Sequence, residues 1–97
     1  MTMKCDEIYQ SVINNLDTDS KTSLFDLAQC FISGYEPDKL RLMLTSGDDG
    51  IVSDGLFVLG EIGDLASNYS TEVEVLTEHA DPEIRRLALE RRRVLKK

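Results

Sequence analysis

The sequence predicts an all-α fold of six short helices arranged as three helical hairpins. Three observations lead to this expectation. Apolar residues recur at spacings of three and four along the chain, which is the period of a helix with one buried face. Glycine, proline and aspartate interrupt this pattern at intervals, and these residue types end helices and make turns. No alternating run of apolar and polar residues is long enough for a pair of strands.

Three helices are predicted in the first half of the chain. The first covers residues 4–16. The second stops at Gly34, and its apolar stripe comprises Leu24, Leu27, Ala28, Phe31 and Ile32. Pro37 suits the first turn of the third helix, because proline lacks the N–H group that a helix start leaves unbonded in any case. Gly47 stands where a glycine commonly follows a helix, so we expect the third helix to stop there.

Three more helices are predicted in the second half. They cover roughly residues 50–66, residues 71–79, and Pro82 to the end of the chain. The core face of the fourth helix is predicted to comprise Ile51, Gly55, Leu56, Val58, Leu59 and Ile62. This assignment leaves Val52 and Phe57 near the opposite face.

The second half of the chain repeats itself. A shift of 33 residues aligns Leu40 with Val73, Met43 with Leu76, Asp48 with Asp81, Ile51 with Ile84, Gly55 with Ala88 and Leu56 with Leu89. Each unit is predicted to be a helical hairpin with an aspartate in its turn, and such hairpins stack because one alone cannot bury both faces. Gly55 and Ala88 mark close approaches between helices. We expect one domain over residues 1–97, with a capping hairpin at 1–34 and units at 35–68 and 69–97.

Two segments resemble motifs of HEAT repeats. Residues 81–88, DPEIRRLA, are similar to the opening of the second helix of a HEAT unit, and residues 59–64, LGEIGD, are similar to its close. The chain departs from the HEAT pattern at Asp49 and Val52, where proline and arginine are usual. It departs again at residues 91–93, where three arginines replace the closing Leu-Gly. The resemblance implies a short HEAT-like solenoid of about three hairpins, and this fold hosts many functions.

Charge is distributed unevenly along the chain. The sequence has 11 Lys and Arg against 18 Asp and Glu, for a formal net charge of −7. Residues 1–80 hold 4 of the basic and 15 of the acidic residues, and residues 81–97 hold the other 7 and 3. An acidic body disfavours nucleic-acid binding and favours a partner with a basic surface, although solubility alone also explains it. The basic end is explained by cations that lie favourably near a helix C-terminus.

The two cysteines predict neither a metal site nor a redox site. Cys5 and Cys30 are 25 residues apart and have no CxxC or Cys/His spacing. The start of the chain lacks the apolar stretch of a signal peptide, and no apolar run is long enough to cross a membrane. We therefore expect a cytoplasmic location and two reduced thiols. A disulfide between them requires the first two helices to lie side by side.

No group of residues predicts catalysis or a cofactor. His79, the only histidine, is predicted near the end of the fifth helix, where a cation complements the helix dipole. Residues 17–19 and 47–50 resemble parts of calcium loops, but both lack the glutamate that such a loop needs at its twelfth position. Turn chemistry explains their aspartates. We predict that the protein is not an enzyme and requires no metal, cofactor or small-molecule substrate.

A candidate partner-binding surface lies on the fourth helix and the turn before it. We call Asp48, Asp49, Asp54, Phe57 and Glu61 the candidate surface. Positions 54, 57 and 61 are spaced three and four apart, so they line one helical stripe. Two interpretations of Phe57 are open: it is an exposed apolar anchor ringed by charge, or it is a core residue of a small domain that closes on itself.

The length, acidity and helical fold resemble those of immunity proteins from bacterial contact-dependent growth inhibition systems. The resemblance implies a protein that binds one cognate toxin, often a basic nuclease or tRNase, and blocks its active site. Carboxylates then mimic the phosphates that the toxin's groove receives, and charge speeds association. The alternative is a HEAT-type adaptor or regulatory subunit for another protein. A third possibility is a lyase-type enzyme subunit, which requires a pocket for a small molecule.

Overall fold

The computed structural model describes residues 2–14 and 20–95, with side chains at residues 5–14 and 24–93. In this part of the chain every regular element is helical. The elements are α1 (Thr2–Ile13), α2 (Ser20–Ile32), α3 (Pro37–Leu44), α4 (Asp49–Glu61), a 3-10 helix (Gly63–Tyr69), α5 (Ser70–Leu76) and α6 (Pro82–Leu95). The prediction of an all-α fold with six α-helices is confirmed over these residues.

Helix α2 ends at the predicted glycine. Gly34 has a φ of 108°, which lies in the left-handed region that glycine adopts without strain. Its N–H donates to the carbonyl of Phe31 at 3.1 Å, and the N–H of Tyr35 donates to the carbonyl of Cys30 at 2.9 Å. These two bonds form a Schellman motif, which satisfies carbonyls that the helix end leaves free. Ile32, predicted on the buried face, is instead 45% exposed, because the stripe leaves the core at the last residue of α2.

Helix α3 begins as predicted and ends earlier than predicted. Pro37 occupies its first turn. Thr45 is the residue at which it ends, because its backbone leaves the helical conformation with a φ of −106° and a ψ of 11°, and its hydroxyl donates to the carbonyl of Arg41 at 3.0 Å. The role predicted for Gly47 is therefore wrong, since a threonine has already ended the helix.

Helix α4 is shorter than the sequence suggested. It ends at Glu61 rather than near residue 66. Gly63 adopts a φ of 65°, which breaks a right-handed helix, and the chain continues as a 3-10 helix up to Tyr69. Helix α5 then ends at Leu76 rather than at residue 79, and the hydroxyl of Thr77 bonds back into its last turn.

The turns before α4 and α6 are built alike, as the 33-residue repeat predicts. The carboxylate of Asp48 accepts the N–H groups two and three residues ahead, at 2.8 and 3.2 Å. The carboxylate of Asp81 accepts the equivalent pair at 2.8 and 3.4 Å. An aspartate in this position satisfies N–H groups that have no partner within the helix, so the repeated aspartates are helix caps.

Helices that follow one another pack as pairs. Helix α1 lies against α2, α3 against α4, and α5 against α6. The second members of these pairs, α2, α4 and α6, also pack in a row, and α3 packs against α5. Helix α4 therefore has helices on three sides. Stacked hairpins require this order of contacts between helices. The HEAT-like solenoid and the boundaries of its units stay predictions.

The central position of α4 decides which of its residues are buried. Leu56 and Leu59 are buried, at 0% and 1% exposure, which confirms their predicted place in the core. Gly55 lies under α3, because a Cβ atom added there would stand 3.1 Å from the side chain of Leu44. The prediction for Val52 is wrong. Its side chain is 0% exposed, since α4 is covered on three sides rather than on one.

Helices α1 and α2 are joined by a disulfide. The Cα atoms of Cys5 and Cys30 are 5.9 Å apart, a separation that a disulfide spans, and the two sulfur atoms are bonded. The expectation of two reduced thiols is therefore wrong, because the two helices do lie side by side. Tyr35 adds a second link, since its hydroxyl donates to the carboxylate of Asp6 at 2.5 Å. Burial, together with this bond and the charge of Asp6, raises the pKa of Tyr35 well above its usual value.

Candidate functional site

The candidate surface lies on the N-terminal turn and outward side of α4. Asp48, Asp49 and Glu61 are exposed, whereas Asp54 and Phe57 are half-buried. The helical span Asp49–Glu61 places positions 54, 57 and 61 on one stripe, as their spacing requires. Whether a partner binds this stripe stays a prediction, and the structure supplies the geometry on which the prediction depends.

Phe57 fits neither of its two predicted environments completely. Its side chain is half-buried and packs against the core. Its outer side meets the ring of Phe25 from α2, edge to face, with the ring centroids 5.3 Å apart and the planes at 74°. Phe25 remains 48% exposed. We call Phe25 and Phe57 the aromatic pair, and it forms an apolar patch where α2 and α4 meet.

Phe25 was absent from the sequence-based site. The signal that could have identified it is its position off the apolar stripe of α2, next to Leu24. A large aromatic residue off the core face of a helix is either exposed or pairs with a neighbouring helix. Only the packing of α2 against α4 shows that Phe25 does both.

Asp54 is a half-buried carboxylate that makes no hydrogen bond or ion pair to any residue whose side chain the structure describes. Burial raises the pKa of its carboxyl, and the nearby charge of Asp48 raises it further. Protonation of Asp54 therefore stabilises the folded state at low pH. This stabilisation is lost as the pH rises through the raised pKa of Asp54. Ionisation of Asp54 is thus less favourable in the folded protein than in the unfolded chain, and a cation bound beside the carboxylate would offset this cost.

The two aspartates at the start of α4 are exposed and also have partners within the fold. Asp48 caps the helix, as described above. The carboxylate of Asp49 lies 3.6 Å from Nε2 of His79, whose Nδ1 accepts the N–H of Asp81 at 2.9 Å. Because α5 ends at Leu76, His79 lies in the turn before α6 rather than near the end of a helix, and its predicted dipole role is wrong.

Two replacements of Asp48 distinguish its role as a helix cap from the effect of its negative charge. Asp48→Ala is expected to lower the free energy of unfolding by about 1 kcal/mol, because it leaves two N–H groups at the start of α4 without a partner. Asp48→Asn retains an oxygen acceptor and should unfold close to the parent while it removes the charge. Urea unfolding of both variants measures the difference. Equal loss of stability in the two variants would contradict the capping role.

Four of the five arginines of α6 bind carbonyl or carboxylate groups of the described residues. Arg85 donates to the carbonyls of His79 and Ala80, and Arg86 pairs with the carboxylates of Glu83 and Glu90 on the same helix. Arg91 donates to the carbonyl of Leu56, and Arg92 pairs with the carboxylate of Glu74. Arg91 reaches α4 because Gly60 leaves room, since a Cβ atom there would stand 2.6 Å from the guanidinium carbon. Arg91 and Arg92 therefore fasten α6 to α4 and α5, which the explanation from helix dipoles did not include.

The body of the molecule offers few other cations. Before α6, the basic residues with described side chains are Lys39 and Arg41. The ammonium group of Lys39 lies 5.3 Å from the ring centre of Tyr9, and Arg41 pairs with the carboxylates of Asp38 and Glu72 at 2.6 and 3.2 Å. Both are thus engaged away from the candidate surface, and among the described side chains its carboxylates contact one nitrogen-bearing side chain, that of His79, through Asp49.

The described residues contain no group of three or more His, Cys, Asp or Glu side chains placed to hold a metal ion. Residues 17–19, one of the two partial calcium-loop matches, lie outside the described residues. No helix in the described part of the chain combines the length and apolar character needed to span a bilayer. Comparisons of the chain with models of protein families, with curated proteins and with solved structures give no match.

Proposed function

We propose that the protein is an immunity protein that binds a cognate toxin through the candidate surface and blocks the toxin's active site. The observation that supports this proposal most is the composition of the patch where α2 and α4 meet. The aromatic pair lies there, and Asp54 and Glu61 flank Phe57 at spacings of three and four residues along α4, a helix that contains no basic residue. An apolar centre with an acidic surround is suited to a basic protein surface.

The physical basis is electrostatic complementarity combined with one apolar contact. Carboxylates that face solvent can occupy sites where a nuclease binds phosphate groups. Their field speeds the encounter with a basic partner, and fast association is valuable to an inhibitor of a lethal enzyme. The aromatic pair adds contact area whose burial slows dissociation, as aromatic residues do at the centres of interfaces. We place this activity in the cytoplasm as part of the same proposal.

A gene for a large secreted toxin immediately upstream of this one would favour immunity over a role as a HEAT-type adaptor. With that toxin as partner, Asp54→Lys combined with Glu61→Lys is expected to slow association and flatten its dependence on salt, because the reversals remove the attractive field. The melting temperature should change little, since Glu61 is exposed and Asp54 has no partner to lose. Stopped-flow or surface-based kinetics over a range of salt concentrations measure both effects.

The matched control is Asp64→Lys combined with Glu78→Lys. Both residues are exposed and lie outside the candidate surface, so the control changes net charge by the same amount at another place. The proposal expects the first pair to slow association more than the second. Equal effects would assign the attraction to net charge alone, and unchanged affinity in the first pair would remove α4 from the interface.

A further inference from the structure

The aromatic pair has an open side. Phe25 is 48% exposed although its ring contacts Phe57, so part of the patch remains available to a partner. Asp54 and Glu61 flank Phe57 at spacings of three and four residues along α4, which brings their Cβ atoms within roughly 6 Å of that of Phe57. The surface therefore offers an aromatic ring together with carboxylates on either side.

The fold uses a similar combination elsewhere to hold an arginine of its own. The guanidinium carbon of Arg41 lies 5.2 Å from the ring centre of Tyr69, and its nitrogens pair with the carboxylates of Asp38 and Glu72. An aromatic ring and two carboxylates, together with the carbonyl of Asn68 at 3.3 Å, thus hold a guanidinium group in this molecule. At the aromatic pair the ring and the carboxylates are present, and no cation among the described side chains fills the place.

We propose that the patch formed by Phe25, Phe57 and Asp54 receives an arginine side chain of the protein partner. This inference rests on the proposed function and specifies the chemistry of the group that the candidate surface binds. The guanidinium plane stacks on an aromatic ring while its N–H groups pair with a carboxylate, a combination that a lysine ammonium group matches less well. A purely apolar occupant would cover Asp54 without pairing its charge, which is unfavourable.

The acid–base properties of Asp54 agree with this assignment. Burial raises the pKa of its carboxyl in the free protein, since nothing described there compensates the charge. A bound guanidinium group would lower that pKa and favour the ionised form. Binding of the partner should therefore release protons near the pKa of Asp54, and Asp54→Asn should abolish this release.

The experiment uses the intact protein and a short synthetic peptide in which arginine and leucine alternate. Binding is followed by NMR titration of the backbone amides. A second peptide carries citrulline in place of arginine, which keeps the shape and removes the charge. We expect the arginine peptide to shift amides around Phe25 and Phe57, and the citrulline peptide to bind about tenfold more weakly.

Three variants locate the effect. Phe25→Ala is expected to weaken binding of the arginine peptide about threefold to tenfold. Phe25→Leu keeps apolar contact with Phe57 but removes the ring face, and it should weaken binding nearly as much. Val75→Ala truncates another apolar side chain, 68% exposed on α5, and should leave binding unchanged. Melting temperatures of the three variants verify that each is folded.

Three results would overturn the inference. They are equal binding of the citrulline peptide, full binding by Phe25→Leu, and absence of peptide-induced shifts at the aromatic pair. The first two would assign the patch to an apolar group of the partner, and neither would affect the proposed function. That function is judged separately, since its failure appears as toxin affinity that does not respond to the Asp54 and Glu61 reversals.

Discussion

Reducing the Cys5–Cys30 disulfide is expected to lower the free energy of unfolding by about 3 kcal/mol, because the link joins residues 25 positions apart and restricts the unfolded chain. For a domain of this size, that loss corresponds to a decrease in melting temperature of about 10 °C or more. Helix α1 should be affected first. Its remaining attachments include the burial of Tyr9 and Val12 and the hydrogen bond between Tyr35 and Asp6.

The measurement is thermal unfolding with and without dithiothreitol, with hydrogen exchange to follow α1. The control is Cys5→Ala combined with Cys30→Ala, which should melt near the reduced parent and ignore the reductant. Thiol titration of the untreated protein should detect no free thiol. Two free thiols in the absence of reductant, or the same melting temperature with and without it, would contradict the disulfide.

The disulfide is also relevant to the cellular location of the protein. Thiols in the cytosol of most organisms are kept reduced, whereas disulfides persist in oxidising compartments. The cytoplasmic location stays a prediction, and the redox state of Cys5 and Cys30 in cells tests it. If the pair is reduced there, the cellular protein has the lower stability expected above, and α1 is held only by its noncovalent contacts.

Features that depend on neighbouring residues in the chain could be predicted from the sequence. Asp48 and Asp81 cap helices by bonding to N–H groups two and three residues away, and Gly34 ends α2 through its own φ angle. Such interactions are local, so residue type and spacing are enough to identify them. The helical class follows for the same reason, since the period of apolar residues reflects a single helix with one buried face.

Features that depend on the packing of several helices could not be predicted in this way. Val52 is buried because α4 has neighbours on three sides, whereas the periodicity of one helix indicates a single buried face. Cys5 and Cys30 meet because α1 lies against α2. Phe25 joins the candidate surface for the same kind of reason, since its contact with Phe57 crosses from one helix to another.

The conformation of Gly63 could not be predicted for a different reason, because glycine adopts several backbone conformations. Residues 59–64, LGEIGD, suggested the close of a helix, and glycine in a helix interior is compatible with a continuing helix at a modest cost. The left-handed φ of Gly63 instead ends α4 and starts a 3-10 segment. A glycine allows both conformations, so sequence alone could not choose between them.

Leu59→Ala is expected to lower the free energy of unfolding by about 2–5 kcal/mol. Leu59 is 1% exposed in the central helix of the molecule, so truncation removes buried apolar contacts and leaves a cavity that surrounding helices cannot close. The total stability of a small domain is about 5–15 kcal/mol, so this one change removes a large part of it. Thermal or urea unfolding measures the loss.

The matched control for this prediction is Leu42→Ala, which makes the same chemical change on α3 at a side chain that is 60% exposed. Its effect should be smaller than about 1 kcal/mol, since exposed side chains contribute little to the core. The comparison tests the repeat register, because that register places Leu59 between helices of neighbouring hairpins. If Leu59→Ala unfolds like Leu42→Ala, α4 does not occupy the centre of the molecule, and the assignment of Asp54, Phe57 and Glu61 to its outward side would have to be abandoned with it.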